Sequence, residues 1–124
     1  MIKVIIVSPH QENFSEFSAA LARQEDVALD HLTSGAQVLE LAADSPVDLV
    51  VTDEALDDMT GLKMANELVR LNPMINCACV SRLSEEAFHE ASEGLGLMPR
   101  LSLNPGKAEA EALLSTIRQL KGEL

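Results

Sequence analysis

The chain has 124 residues, 47% of them hydrophobic, and its 9 Lys and Arg against 20 Asp and Glu give a formal net charge of −11. A chain of this length can bury enough surface to fold around one apolar core. The negative charge opposes binding to nucleic acid and to anionic membranes, and the basic residues are scattered singly along the chain. We therefore predict one domain, residues 1–124, that binds neither nucleic acid nor membranes.

Targeting signals and cofactor-stacking residues are also missing from the sequence. No apolar run approaches the roughly 18 residues that a membrane span needs, and the N-terminal apolar stretch is too short for a signal peptide. Cys77 and Cys79 suggest no disulfide framework, and the chain has no Trp or Tyr to stack on a flavin. These features predict a cytoplasmic protein with an aliphatic core.

The first half of the chain predicts two strands and two helices. The aliphatic run at residues 2–8 is typical of a buried parallel strand. Asn13 and Glu16 have the spacing of a capping box, which predicts the start of the first helix. Residues 27–32 predict the second strand, and Ser34 is the expected N-cap of the second helix.

The second half repeats this alternation. Residues 47–53 and 75–81 predict the third and fourth strands, with a helix between them that ends at Asn72 because Pro73 follows. Residues 97–103 predict the fifth strand, and a helix follows Pro105 and Gly106. The order (βα)5 predicts an α/β fold with a doubly wound, five-stranded parallel sheet of the flavodoxin-like type.

Ligands of such sheets bind at the carboxyl ends of the strands, so the residues at those ends are the candidate site. They are Ser8, Pro9 and His10 after strand 1, Asp53 and Glu54 after strand 3, Ser81 and Arg82 after strand 4, and Asn104 after strand 5. Asp53 ends a run of buried aliphatic residues, where a carboxylate could act as a nucleophile in phosphoryl transfer or as a ligand of a hard metal ion. A charge that only marks the end of the strand is the other interpretation.

The segment Asp53-Glu54-Ala55-Leu56-Asp57-Asp58-Met59-Thr60-Gly61 resembles the phospho-acceptor loop of the receiver domains of two-component response regulators. In that family the Asp ends strand 3 and a Gly eight residues later opens helix 3. Ser81 falls where the family has Thr or Ser, and Asn104-Pro105 falls where it has Lys-Pro. The resemblance extends over essentially the whole chain and implies the receiver fold.

The resemblance also implies a chemistry and a set of partners. Asp53 would be the phospho-acceptor, and Mg²⁺ would be held by Asp53, by the main-chain carbonyl of Ala55 and by acidic residues after strand 1. A sensor kinase, an output domain or an effector would be the protein partner. A homodimer would form through helix 4, strand 5 and helix 5.

Several positions depart from the family pattern. Ser8 and Pro9 replace the acidic pair, and Asn104 brings no positive charge where the family has Lys. Leu101 stands at the position of the switch aromatic, so a relay through Ser81 has no ring to move. These departures predict a pseudo-receiver, which is not an enzyme, with a degraded phosphate pocket and no resident cofactor or Mg²⁺.

The sequence leaves other interpretations open. The Arg82 guanidinium could pair with Asp53 and supply the missing positive charge, or it could point into solvent. A phosphorylation-competent switch could use Glu54, Asp57 or Asp58 as substitute metal ligands. A small flavodoxin-like enzyme is a third interpretation. The sequence argues against it because it contains no phosphate-binding loop.

Overall fold

The structure is a computed structural model that describes residues 1–122. In this part of the chain, five α-helices pack on a four-stranded parallel sheet. Residues 123 and 124 of the predicted domain lie outside this range. The elements in chain order are β1 Ile2–Val7, α1 Ser15–Ala22, β2 Val27–Leu32, α2 Gly35–Asp44, β3 Leu49–Thr52, α3 Gly61–Leu71, β4 Asn76–Cys79, α4 Glu85–Ala91 and α5 Lys107–Lys121. None of these helices combines the length and the apolar character that crossing a membrane requires.

The sheet order β2-β1-β3-β4 places the most apolar strands at the centre. Side chains of β1 alternate between the two faces, so Val4 and Ile6 join one core cluster and Ile5 and Val7 join the other. Helices α1 and α5 cover the first face, and α2, α3 and α4 cover the second. The predicted α/β fold with helices on both faces is confirmed.

The predicted fifth strand, residues 97–103, is reduced to a single parallel bridge between Val80 and Leu101. The Leu101 N–H donates to the Cys79 carbonyl at 2.9 Å, so a regular ladder would require the N–H of residue 99 to donate to the Cys77 carbonyl. Pro99 has no N–H, and the Met98 N–H makes this bond instead at 3.0 Å. The pairing therefore shifts by one residue, and the segment bulges at Pro99 and Arg100.

The two predicted helix starts have different outcomes. Ser34 caps α2 as predicted, because its Oγ accepts from the Gln37 N–H at 3.2 Å and Gln37 Oε1 accepts from the Ser34 N–H at 3.2 Å. The capping box predicted at Asn13 is wrong, because a 3₁₀ turn occupies Gln11–Phe14 and α1 begins at Ser15. Gln11 supports this turn by donating from Nε2 to the carbonyls of Ser8 and Leu32 at 2.9 and 3.1 Å.

Candidate functional site

Adjacent strand ends bring Ser8 against Asp53. The Asp53 N–H donates to the Val7 carbonyl at 3.0 Å, which aligns the ends of β1 and β3. Ser8 is fully buried, and its Oγ donates to Asp53 Oδ2 at 2.7 Å while accepting from the His10 N–H at 2.9 Å. The Glu54 N–H donates to Asp53 Oδ1 at 2.8 Å. Both carboxylate oxygens of Asp53 are therefore bound by neutral donors of the chain itself.

The loop from Asp53 to Gly61 is closed by its own hydrogen bonds. Ala55 and Thr60 form an antiparallel bridge, and the Gly61 N–H donates to the Glu54 carbonyl at 2.9 Å. A Cβ at position 61 would collide with the Asp53 carbonyl oxygen and lie 3.0 Å from Thr52 Oγ1. Glycine is needed here because the start of α3 packs directly on the backbone that carries Asp53.

Arg82 pairs with Glu54; the alternatives that the sequence left open were a pair with Asp53 and a guanidinium in solvent. Arg82 Nε lies 3.3 Å from Glu54 Oε1, and the Arg82 backbone N–H donates to Glu54 Oε2 at 2.7 Å. Glu54 thereby connects the loop after β3 to the loop after β4. The Arg82 side chain is 77% exposed, so the ion pair itself contributes little, and the bond to the backbone is the stronger link between the two loops.

Asp58 binds the start of α2, and Asp57 is exposed. The Asp58 carboxylate accepts from the backbone N–H groups of Gly35 and Ala36 at 2.8 and 3.0 Å, at the N-terminus of α2. These hydrogen bonds lower the pKa of Asp58. Asp57 is exposed, and its N–H donates to the Thr33 carbonyl at 3.2 Å. The Asp58 carboxylate is therefore engaged by α2 and does not act as a substitute ligand beside Asp53.

The lowered pKa of Asp58 predicts a pH-dependent contribution to stability. Because the folded-state pKa lies below the ordinary value of about 3.9, Asp58 stabilises the fold above that pH, and the contribution is lost as the pH falls through the folded-state pKa. We expect Asp58→Asn to lower the urea unfolding midpoint at pH 7, and the difference from the parent protein to shrink as the pH falls below about 3.9. Asp57→Asn is the matched control, and a difference that persists unchanged in acid would contradict this assignment.

A polar cavity of about 230 Å³ opens beside Asp53. Its lining includes Asn13, Arg82 and Asn104 together with Asp53. Asn104 lies in the left-handed region with φ 51°, which an Asn side chain tolerates better than most. Asn13, which the sequence predicted only at a helix start, also lines this cavity. No periodicity or motif in the sequence marks it as a site residue.

The remaining predicted site residues lie at the edge of this arrangement. Ser81 is buried, and its Oγ accepts from the Leu83 N–H at 3.1 Å. Leu101 is part of the apolar core. The exposed His10 imidazole lies 3.7 Å from Glu12, and only its backbone N–H contacts the site through Ser8.

The donor set does not fit Mg²⁺, which the receiver resemblance implies. Mg²⁺ requires a near-octahedral set of oxygen ligands, usually including carboxylates. Asp53 instead accepts an O–H and an N–H, and Ser8 turns its hydroxyl hydrogen towards it. Within residues 1–122, no three His, Cys, Asp or Glu side chains converge as they would around a metal ion.

Comparison with known proteins gives one family. The model of the response regulator receiver domain matches residues 4–102. No curated protein matches the chain.

Solved structures show the same fold at low sequence identity. A CheY-like response regulator receiver domain protein from Methanospirillum hungatei JF-1 superposes with a TM-score of 0.83 at 14% identity, covering 100% of this chain and 99% of that one. The signal receiver domain of an HD domain-containing protein from Pseudomonas fluorescens Pf-5 gives 0.83 at 16% identity, covering 98% and 89%. A two-component response regulator from Clostridium difficile gives 0.81 at 13% identity, covering 96% and 97%.

Proposed function

The chain belongs to the response regulator receiver family of two-component systems, and on that basis we propose that it signals through protein contacts that do not depend on phosphorylation of Asp53. Receiver domains are in general signalling modules that interact with proteins such as kinases and output domains, rather than enzymes. The proposal takes residues 1–124 as one such module. Asp53 is its candidate acceptor position.

The hydrogen bonding of Asp53 carries this proposal. Phosphoryl transfer to a carboxylate requires cations that neutralise the charge developing between two anions. Here Ser8 Oγ and the Glu54 N–H, both neutral, occupy the two Asp53 oxygens at 2.7 and 2.8 Å. The acceptor position is therefore satisfied without metal or phosphate.

Glu54 adds a second argument. Its carboxylate accepts from the Arg82 N–H and contacts the Arg82 guanidinium, so it joins the loop after β3 to the loop before α4. An incoming phosphoryl group would bring further negative charge beside this carboxylate. In our proposal Glu54 holds the two loops together at all times. In a phosphorylated switch, the two loops would be held together only while the phosphoryl group is present.

The partner surface that we propose consists of α4, residues 97–103 and α5. A sensor kinase, an output domain or effector, or a second copy of the chain would contact it. Glu85, Glu86 and Glu90 of α4 are exposed on the chain surface. Glu109 at the start of α5 is already bound to the Ser102 N–H and hydroxyl, at 3.0 and 2.6 Å. Glu109 is therefore engaged within the chain, whereas the three glutamates of α4 stay exposed to a partner.

Treatment with a small phosphodonor tests the proposal. We expect incubation with acetyl phosphate and Mg²⁺ to leave the intact mass unchanged, because nothing in the site neutralises the attacking carboxylate. We expect the sedimentation coefficient also to be unchanged. A mass gain of one phosphoryl group that disappears in Asp53→Asn would overturn the proposal in favour of a phosphorylated switch. The same gain in both proteins would place the modification elsewhere.

A further inference from the structure

Large apolar side chains are exposed mainly at the end of the sheet opposite Asp53. In a parallel α/β fold, each helix and the loop after it return the chain to the amino ends of the strands. Of the six large apolar side chains exposed within residues 1–122, Leu83 and Leu103 lie in loops at the carboxyl ends. The other four form what we call the amino-end patch: Met1, Leu71, Met74 and Leu120. Exposed apolar residues that gather at one place mark an interaction surface.

A groove of about 420 Å³ lies within the amino-end patch, between the loop after α3 and the last turn of α5. Val47 and Ile117 line it and are buried. Met74 and Leu120 line it as well, and they are 83% and 64% exposed. The groove is therefore accessible from solvent, and a partner can reach the side chains that form its apolar surface.

The charges beside the groove are paired with each other. Asp48 and Lys121 are the charged residues of its lining, and Lys121 Nζ donates to Asp48 Oδ2 at 3.1 Å. The same Asp48 oxygen accepts from the Lys3 N–H at 2.8 Å, and Lys121 Nζ also donates to the Met1 carbonyl at 3.0 Å. Because the two charges neutralise each other, the lining offers no net charge to an acidic or a basic partner. An apolar occupant fits this groove best.

We propose that a second copy of this chain occupies the groove, in a two-fold dimer that forms through the amino-end patch. A two-fold interface requires one patch to hold both a projecting side chain and the recess that receives it. Met74 is the most exposed of these side chains and stands at the groove itself, so Met74 of each copy enters the groove of the other. Methionine suits this contact because its flexible side chain adapts to irregular apolar surfaces.

The distribution of charge favours this way of pairing two copies. Copies that each carry a net charge of −11 repel each other over most of their surface. Pairing through α4 would add to this repulsion, because α4 presents three exposed glutamates. At the amino end, Arg118 pairs with Asp26 and Lys121 pairs with Asp48. Two copies therefore meet with less repulsion there than through α4, and the α4 surface stays free for a partner protein. The inference thus goes beyond the proposed function.

Sedimentation velocity of the full chain, from micromolar to millimolar concentration, tests the inference. We expect the average mass to rise towards that of a dimer, and to rise further with added NaCl because salt screens the repulsion between the copies. Met74→Glu and Leu120→Glu should each weaken dimerisation about tenfold or more, because each copy then brings a carboxylate into the apolar contact. Leu83→Glu is the matched control, since it adds the same charge at the opposite end, and it should weaken dimerisation far less. Circular dichroism establishes that the three variants are folded.

Other outcomes would contradict the dimer. A chain that stays monomeric throughout would overturn the inference, and so would dimerisation that weakens with NaCl. Dimerisation that Leu103→Glu weakens more than Met74→Glu does would place the contact on the proposed partner surface instead. A monomeric chain that enhances the fluorescence of anilinonaphthalene sulfonate, with the enhancement lost in Met74→Glu, would assign the groove to a small apolar ligand. These measurements use no phosphodonor, so their failure is distinct from failure of the proposal for Asp53.

Discussion

Replacing Gly61 with alanine is expected to lower the free energy of unfolding by about 3 kcal/mol. The added Cβ collides with the Asp53 carbonyl oxygen, which is backbone and cannot rotate away, and it lies 3.1 Å from Thr52 Cγ2. This clash is relieved only if the start of α3 moves away from β3, and that movement would also disturb the Asp53 side chain. Urea unfolding monitored by circular dichroism measures the loss. Chemical shifts of the Asp53 and Glu54 amides report the local displacement.

Gly35→Ala is the matched control, since Gly35 is likewise the first residue of its helix. Its new Cβ would meet the side chain of Met59, including Cγ at 2.8 Å, and a methionine side chain can move aside. Because alanine also favours the helix, we expect a change within about 1 kcal/mol. Similar losses in both variants would mean that the close approach to the Asp53 backbone is not what requires glycine at position 61.

Ser8→Asp is expected to give the largest change in the chemistry of the site. The substitution removes the donor to Asp53 Oδ2 and places a second carboxylate in a buried position beside the first. Without metal the two charges repel, and we expect a loss of about 2 kcal/mol in unfolding free energy at pH 7. Added Mg²⁺ should restore stability in a concentration-dependent way, because the variant supplies the paired carboxylates that the parent chain lacks.

Thermal unfolding with and without MgCl₂ measures this effect, with CaCl₂ as a comparison for selectivity. The parent chain should respond to Mg²⁺ far less than the variant does. Combining Ser8→Asp with Asp53→Asn should remove the response, since only one carboxylate then remains in the pair. Equal Mg²⁺ stabilisation of the parent chain would show that the native donor set binds the metal, contrary to our interpretation of Ser8.

The strand and helix order was predictable because it depends on hydrophobic periodicity, which is local in sequence. The bulge at Pro99 was not predicted, although proline is a known obstacle to strand pairing. Its effect depends on whether residue 99 must donate to β4, and only the register of Leu101 against Cys79 decides that.

The sequence likewise predicted one part of the candidate site and not the rest. The apolar runs placed Asp53 and Ser81 at strand ends, and the resemblance identified Asp53 as the phospho-acceptor position. The sequence did not indicate Glu54 as the partner of Arg82, since that contact depends on which Asp53 oxygens are already bound and on how the two loops lie in space. Nor could it show that Asp58 binds α2, because the contact joins residues 23 positions apart in sequence.

The loop from Asp53 to Asp58 holds four carboxylates in six residues. Three of them are bound to three different parts of the fold: Asp53 to Ser8, Glu54 to the chain before α4, and Asp58 to the start of α2. A displacement of α4 by a bound partner therefore has a short mechanical path to α2 that passes beside Asp53. Under the proposed function, a signal would pass between α4 and α2 through these hydrogen bonds, without phosphate at either end.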